Sequence, residues 1–200
     1  LCHIGKVGID SPGGWIAFCN ERLGYAFVER FAYDALAEYP DDGATVECWT
    51  TGKGTVGNLS FENSPIYHME TEVLSPLFDF RPGQHHGFRI EWGACRLPSR
   101  VVDVQPGGCS ARRLKTLRRG NGLAVEGLFG VFDYAQLYLL ARNAAGDEVA
   151  RVALGPATPL EPVELETRLD VPDSTASVEL LAVAVADGQE RLVARAQANG

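Results

Sequence analysis

Apolar and polar positions alternate with a period of two through most of this chain, which is the spacing of half-buried strands. Residues 44–51 are the plainest case: Val46, Cys48 and Thr50 take one side, and Thr45, Glu47 and Trp49 the other. Residues 15–19 and 25–31 read as buried strands, and the link between them, residues 20–24, is short enough for a hairpin. Residues 3–9 form a short extended segment. It ends at Asp10-Ser11-Pro12-Gly13-Gly14, a turn in which proline presets φ and glycine admits positive φ. Tyr39-Pro40-Asp41-Asp42-Gly43 is a second turn. Residues 32–38 carry the one helical suggestion, a turn or two long. Residues 52–64 are a polar, glycine-bearing loop; GKGTVG lacks the strand–GxxxxGK[ST]–helix context of a phosphate loop.

Residues 67–92 are the stretch from which chemistry can be argued. They read as a strand, a proline break, a short extended piece, a Pro-Gly turn and a second strand over residues 87–92. In the first strand His68, Glu70 and Glu72 share a face, and Tyr67, Met69 and Thr71 take the other. Three proton-exchanging groups on one face suggest a polar pocket. The other reading stays open: both glutamates are simply solvated on an exposed sheet face.

Beyond residue 97 the texture becomes more regular. Residues 98–108 (PSRVVDVQPGG) read as a linker, and residues 123–132, 135–142, 148–154, 163–169, 177–186 and 191–196 as strands. Asn143-Ala144-Ala145-Gly146 and Asp187-Gly188 supply hairpin turns. Short strands at this spacing predict a small immunoglobulin-like sandwich over residues 109–200, without the Cys…Trp…Cys signature of true immunoglobulin domains. Residues 1–97 form the other domain, and the whole is expected to be all-β.

Charge narrows the partners. The net charge is −8, and most of it lies early: residues 1–97 carry 7 Lys/Arg against 13 Asp/Glu, residues 98–200 carry 11 against 13. That argues against nucleic acid as a partner. The basic group Arg112, Arg113, Lys115, Arg118 and Arg119 has no interleaved aromatics for base stacking, and reads as a charged strand edge. Five cysteines (Cys2, Cys19, Cys48, Cys95 and Cys109) show no CxxC pair, so neither a structural zinc site nor a disulfide framework is indicated. Buried, reduced thiols point to the cytoplasm. No apolar run is long enough to span a bilayer, and no metal or cofactor is expected. His85 and His86 are adjacent, so on an extended chain they point opposite ways. The chain opens without a methionine, as if in mid-strand, and reads as a fragment lacking its true N-terminus.

His68-Met69-Glu70-Thr71-Glu72, followed by Arg81-Pro82-Gly83-Gln84 and Phe88-Arg89-Ile90-Glu91-Trp92, resembles the C-terminal part of the galactose mutarotase (aldose 1-epimerase) superfamily. The stretch EVLSPLFDFRPGQHHGFRIEW is closest to an uncharacterised mutarotase-like group, and KVGIDSPGGWIAF and YPDDG are similar to it too. The resemblance covers residues 3 to about 95. It implies an antiparallel β-supersandwich whose concave face binds a carbohydrate. By the same resemblance Glu70 takes the place of the general base that removes the anomeric hydroxyl proton, a role needing an ionised carboxylate. Glu72 replaces the family glutamine, and two facing carboxylates raise one another's pKa. His68, Glu72, Asp10 and Trp15 are the candidate substrate-binding residues, with Trp49 and Trp92 as further stacking platforms. The epimerase histidine has no match in His3, His68, His85 or His86. Two functions stay open on this basis: acid/base chemistry of the epimerase type, or a carbohydrate-recognition or structural module without turnover.

Overall fold

The computed structural model describes residues 4–65 and 67–198; Cys2 and His3 lie outside the described residues. The chain is nearly all β, with 56% of the described residues in strands and 2% in helix, arranged in several antiparallel sheets. In order the strands are β1 (Gly5–Ile9), β2 (Trp15–Asn20), β3 (Tyr25–Phe31), β4 (Val46–Thr50), β5 (Thr55–Val56), β6 (Leu59–Ser60), β7 (Met69–Val73) and β8 (Ile90–Arg96). They continue with β9 (Asp103–Gln105), β10 (Gly108–Arg119), β11 (Gly122–Val131), β12 (Ala135–Asn143), β13 (Glu148–Ala157), β14 (Val163–Asp170), β15 (Thr175–Ala184) and β16 (Glu190–Gln197).

Two compact units result, one of residues 1–16 and 29–92, the other of residues 17–28 and 93–200. The division passes through β2, β3 and β8, which pair in the order β2-β3-β8. This differs from the boundary expected at residue 97. Residues 98–108 also differ from the linker expected: β9 lies within them and pairs with β10 through Gly108↔Gln105, Cys109↔Val104 and Ser110↔Asp103. Backbone proximity explains the composition that suggested a linker. A Cβ on Gly108 would stand 2.3 Å from the Gly130 carbonyl oxygen, and one on Gly107 2.9 Å from that of Arg191. These glycines let strands approach closely.

In the first unit β1, β4 and β7 make a sheet in the order β1-β4-β7. At its entry the Pro12-Gly13-Gly14 turn closes with the Gly14 N–H donating to the Ser11 carbonyl at 2.9 Å. Gly14 has φ 67°, and a Cβ there would meet the Phe31 carbonyl oxygen at 2.4 Å, so glycine is required on both counts. Residues 32–38, the one helical suggestion, form a turn instead. Asp34 bends it, its side chain accepting from the Leu36 N–H at 2.9 Å, the usual way a short acid competes with helix. The single turn of helix among the described residues is Pro40–Gly43, distorted by left-handed Asp41 and Asp42. The Pro82-Gly83 break is a β-turn, with the Gln84 N–H donating to Arg81 at 3.0 Å and Gly83 at φ 85°, as a type II turn needs at its third position. The loop of residues 52–64 folds on itself through the two-residue pairing of β5 with β6.

The second unit contains two four-stranded sheets, β14-β11-β10-β9 and β13-β12-β15-β16. Hairpins join β10 to β11, β12 to β13 and β15 to β16, while β11 pairs with β14 and β12 with β15. These antiparallel sheets are consistent with the β-sandwich that the turn spacing suggested. Alternation decides what lies between the sheets: Leu123, Val125, Phe129 and Val131 from β11 meet Leu137, Leu139 and Ala141 from β12 and Val178, Leu180 and Ala182 from β15 in one buried cluster. On β15, Glu179 is 3% exposed and is clamped by Arg142 Nε at 3.0 Å and Arg195 Nε at 2.8 Å. The two arginines answer the cost of burying that carboxylate. The basic group on β10 is taken up at the surface: Arg112 pairs with Glu164 at 3.1 Å and Arg118 with Asp173 at 3.2 Å.

Candidate functional site

The antiparallel register sets Glu47 opposite Gly8 and Glu72, and Trp49 opposite Lys6 and Glu70. Directly opposed residues share a sheet face. Lys6, Gly8, Glu47, Trp49, Glu70 and Glu72 therefore line one side of the β1-β4-β7 sheet. The ladder continues one residue past β7, where the Thr51 N–H donates to the His68 carbonyl at 3.0 Å. The His68 N–H donates to Thr51 Oγ1 at 3.0 Å, and His68 Nδ1 lies 3.1 Å from the same hydroxyl. His68, Glu70 and Glu72 thus fall in a row, as their alternation implies. His68 and Glu70 are exposed; Glu72 and Trp49 are half-buried. The opposite face is tied inward, with Thr71 Oγ1 donating to Glu29 Oε2 at 3.0 Å.

Asp10 follows β1, across the sheet from this row. It lines a cavity of about 550 Å³ with Tyr33, Glu38, Tyr39, Asp41 and Asp42, in which Tyr33 and Tyr39 are stacked at 5.8 Å. Trp15 begins β2 and so belongs to a different sheet. Trp92 is 74% exposed on β8. Of the three indoles, Trp49 is the one that shares a face with the carboxylates.

The feature that sequence reading left out is Glu47, which is 1% exposed. Its Oε2 lies 2.7 Å from Lys6 Nζ, and the same ammonium donates to Asp41 Oδ2 at 2.9 Å. Hydrogen bonds to Glu47 and Asp41 hold Lys6 above the usual lysine range. Asp41 is held below the carboxylate range, by Lys6 first and then by its bond with Glu47. At Glu47 the Lys6 ammonium pulls downward, but burial and the hydrogen-bonded Asp41 and Glu72 carboxyls together push its carboxyl above the ordinary 4.5. The arrangement gathers the Lys6 ammonium and the Asp41 and Glu47 carboxyl groups at the inner edge of the face. Its signal in the sequence was the alternation that put Glu47 beside Trp49; the contact with Lys6, across the β1-β4 register, is non-local.

A raised carboxyl pKa in the fold means that Glu47 contributes stability below its unfolded value, and that this is lost as pH rises through its folded value. Glu47→Gln supplies a permanently uncharged side chain of the same shape. Urea midpoints of the two proteins are expected to coincide near pH 4 and to separate towards pH 8, with the glutamine variant the more stable. A wild type more stable at pH 8 would show instead that the ionised carboxylate is what Lys6 requires.

Among the described residues no three His, Cys, Asp or Glu side chains converge as a metal-binding group. His86, in the exposed segment after Pro82-Gly83, lies tilted against Phe78, ring centroids 3.7 Å apart. No helix among the described residues is long and apolar enough to cross a membrane. No protein-family model, curated protein or solved structure matches the chain.

Proposed function

We propose that the Trp49–Glu70 face of the β1-β4-β7 sheet binds a small-molecule carbohydrate, with Glu70 as the base of an aldose 1-epimerase-type proton transfer. The observation that supports this reading is the position of Trp49, half-buried and directly across the register from Glu70, with Lys6 on its other side. A sugar ring offers an apolar C–H face and a rim of hydroxyls. An indole surface beside carboxylates meets both, in the usual pattern of an apolar platform with a few convergent polar groups. Exposed Glu70 is open to a ligand hydroxyl, as a general base must be. Glu72 and His68 stand one strand step to either side. The mutarotase-like motif over residues 68–92 gives the same assignment to Glu70.

A second reading, carbohydrate recognition without turnover, is favoured by His68. Its Nδ1 and its backbone N–H are both engaged with Thr51, which makes it a fixture of the sheet end more than a mobile acid. Saturation-transfer NMR with a panel of monosaccharides, run alongside anomer interconversion, separates the two. Glu70→Gln is expected to abolish interconversion and to weaken binding about tenfold or more, the loss of a hydrogen bond to a charged group. Binding without interconversion would leave the recognition module. A Glu70→Gln protein that binds and turns over as the wild type does would remove Glu70 from the site.

A further inference from the structure

Two thiols of the second unit meet in its interior. Cys95 on β8 is 5% exposed and Cys109 on β10 is 0% exposed, and their sulfurs are 3.5 Å apart. The space for them is made by a third residue: Gly130 pairs with Cys109 across the β10-β11 register, and a Cβ on Gly130 would lie 2.2 Å from Cys95 Sγ. Cys95 belongs to a strand segment that walls a cavity of about 590 Å³, with Leu23, Tyr25, Phe27, Arg96 and Leu160, room enough for a reagent the size of water or peroxide. The two sulfurs are also unlike. The Cys109 thiol holds Cys95 below the usual thiol range, and its bond with Cys95, then burial, push Cys109 up.

We propose that Cys95 and Cys109 are an oxidation site, converted by a peroxide to an intramolecular disulfide. The Cys95 thiolate attacks one peroxide oxygen and breaks the O–O bond, giving a sulfenic acid; the departing oxygen leaves as water once protonated. The Cys109 sulfur then attacks the sulfenic sulfur, its proton leaves with the displaced hydroxyl as a second water, and the S–S bond forms. Two thiols lose two electrons and two protons in all, and the peroxide takes them up. The bond would join β8 to β10, closing a loop between positions 14 residues apart, and would constrain the unfolded chain accordingly.

The full chain is treated with stoichiometric hydrogen peroxide under native conditions, its remaining thiols are alkylated, and it is digested with trypsin without reduction. The expected product is the peptide of residues 90–96 linked to that of residues 101–112, lighter by two hydrogens and separated by dithiothreitol. The thermal midpoint of the second unit is expected to rise on oxidation and to return on reduction. Cys109→Ser should stop the reaction at Cys95, where dimedone would trap the sulfenic acid. Recovery of both cysteines alkylated would overturn the proposal. Linkage of either to Cys19 or Cys48 instead, or dimedone labelling of Cys109→Ser at some other cysteine, would overturn it equally.

Discussion

Phe129→Ala is expected to cost the second unit about 3–5 kcal/mol, the usual range for truncating a fully buried phenylalanine. Phe129 is 0% exposed in β11, and its ring covers the position where a side chain on Gly127 would stand, 2.2 Å from Cζ. Removing the ring leaves a void between two sheets whose strands are pinned by ladders on both sides, Phe129 itself being paired with Ser110 and Val163. Such a site collapses poorly, so the cost includes the cavity as well as the lost apolar transfer. Against a typical domain stability of about 5–15 kcal/mol, the thermal midpoint should fall on the order of 20 °C. Val185→Ala, at a side chain 76% exposed, is the control and should leave the midpoint unmoved. A fall of only a degree or two for Phe129→Ala would mean that the two sheets do not share the core described.

Trp49→Ala carries the second large effect, on binding. Trp49 is half-buried at the centre of the candidate face, with Lys6 and Glu70 directly across the register on either side. Truncating an aromatic anchor commonly costs about 2 kcal/mol or more in binding, roughly thirtyfold in affinity. The fold should survive, because β4 keeps Val46 buried on its other face and both ladders are backbone bonds. Isothermal titration with the sugar that gives the largest saturation-transfer signal, on wild type and variant at equal thermal stability, reads the change. Unaltered affinity in a folded Trp49→Ala protein would place the ligand elsewhere.

The parts of this molecule that depend on local period were open to reading from the chain. Alternation in residues 44–51 and the strand-like runs 123–132, 135–142 and 177–186 identified strands, and Asp187-Gly188 marked a hairpin, because strand periodicity and turn chemistry act over a few residues. His68, Glu70 and Glu72 were placed on one face for the same reason. What escaped depends on residues far apart in the chain. Residues 98–108 looked like a linker because Pro106, Gly107 and Gly108 are turn-formers, yet the two glycines serve close approach to Gly130 and Arg191. Glu47 stood in the sequence only on the same strand side as Trp49, and the register brings Lys6 and Glu72 to it. Trp15 was named as a candidate stacking platform for a sugar ring, and sheet pairing places it in another sheet from the carboxylates.

On the function proposed above, a carbohydrate sits on the Trp49–Glu70 face. The chain has three tryptophans, Trp15, Trp49 and Trp92, each with one indole N–H resonance, assigned by replacing them singly with phenylalanine. A titration of the 15N-labelled protein with the monosaccharide panel is expected to move the Trp49 indole resonance progressively while those of Trp15 and Trp92 stay in place. Movement of Trp15 or Trp92 with Trp49 fixed, or no movement of any indole with any sugar, would contradict it.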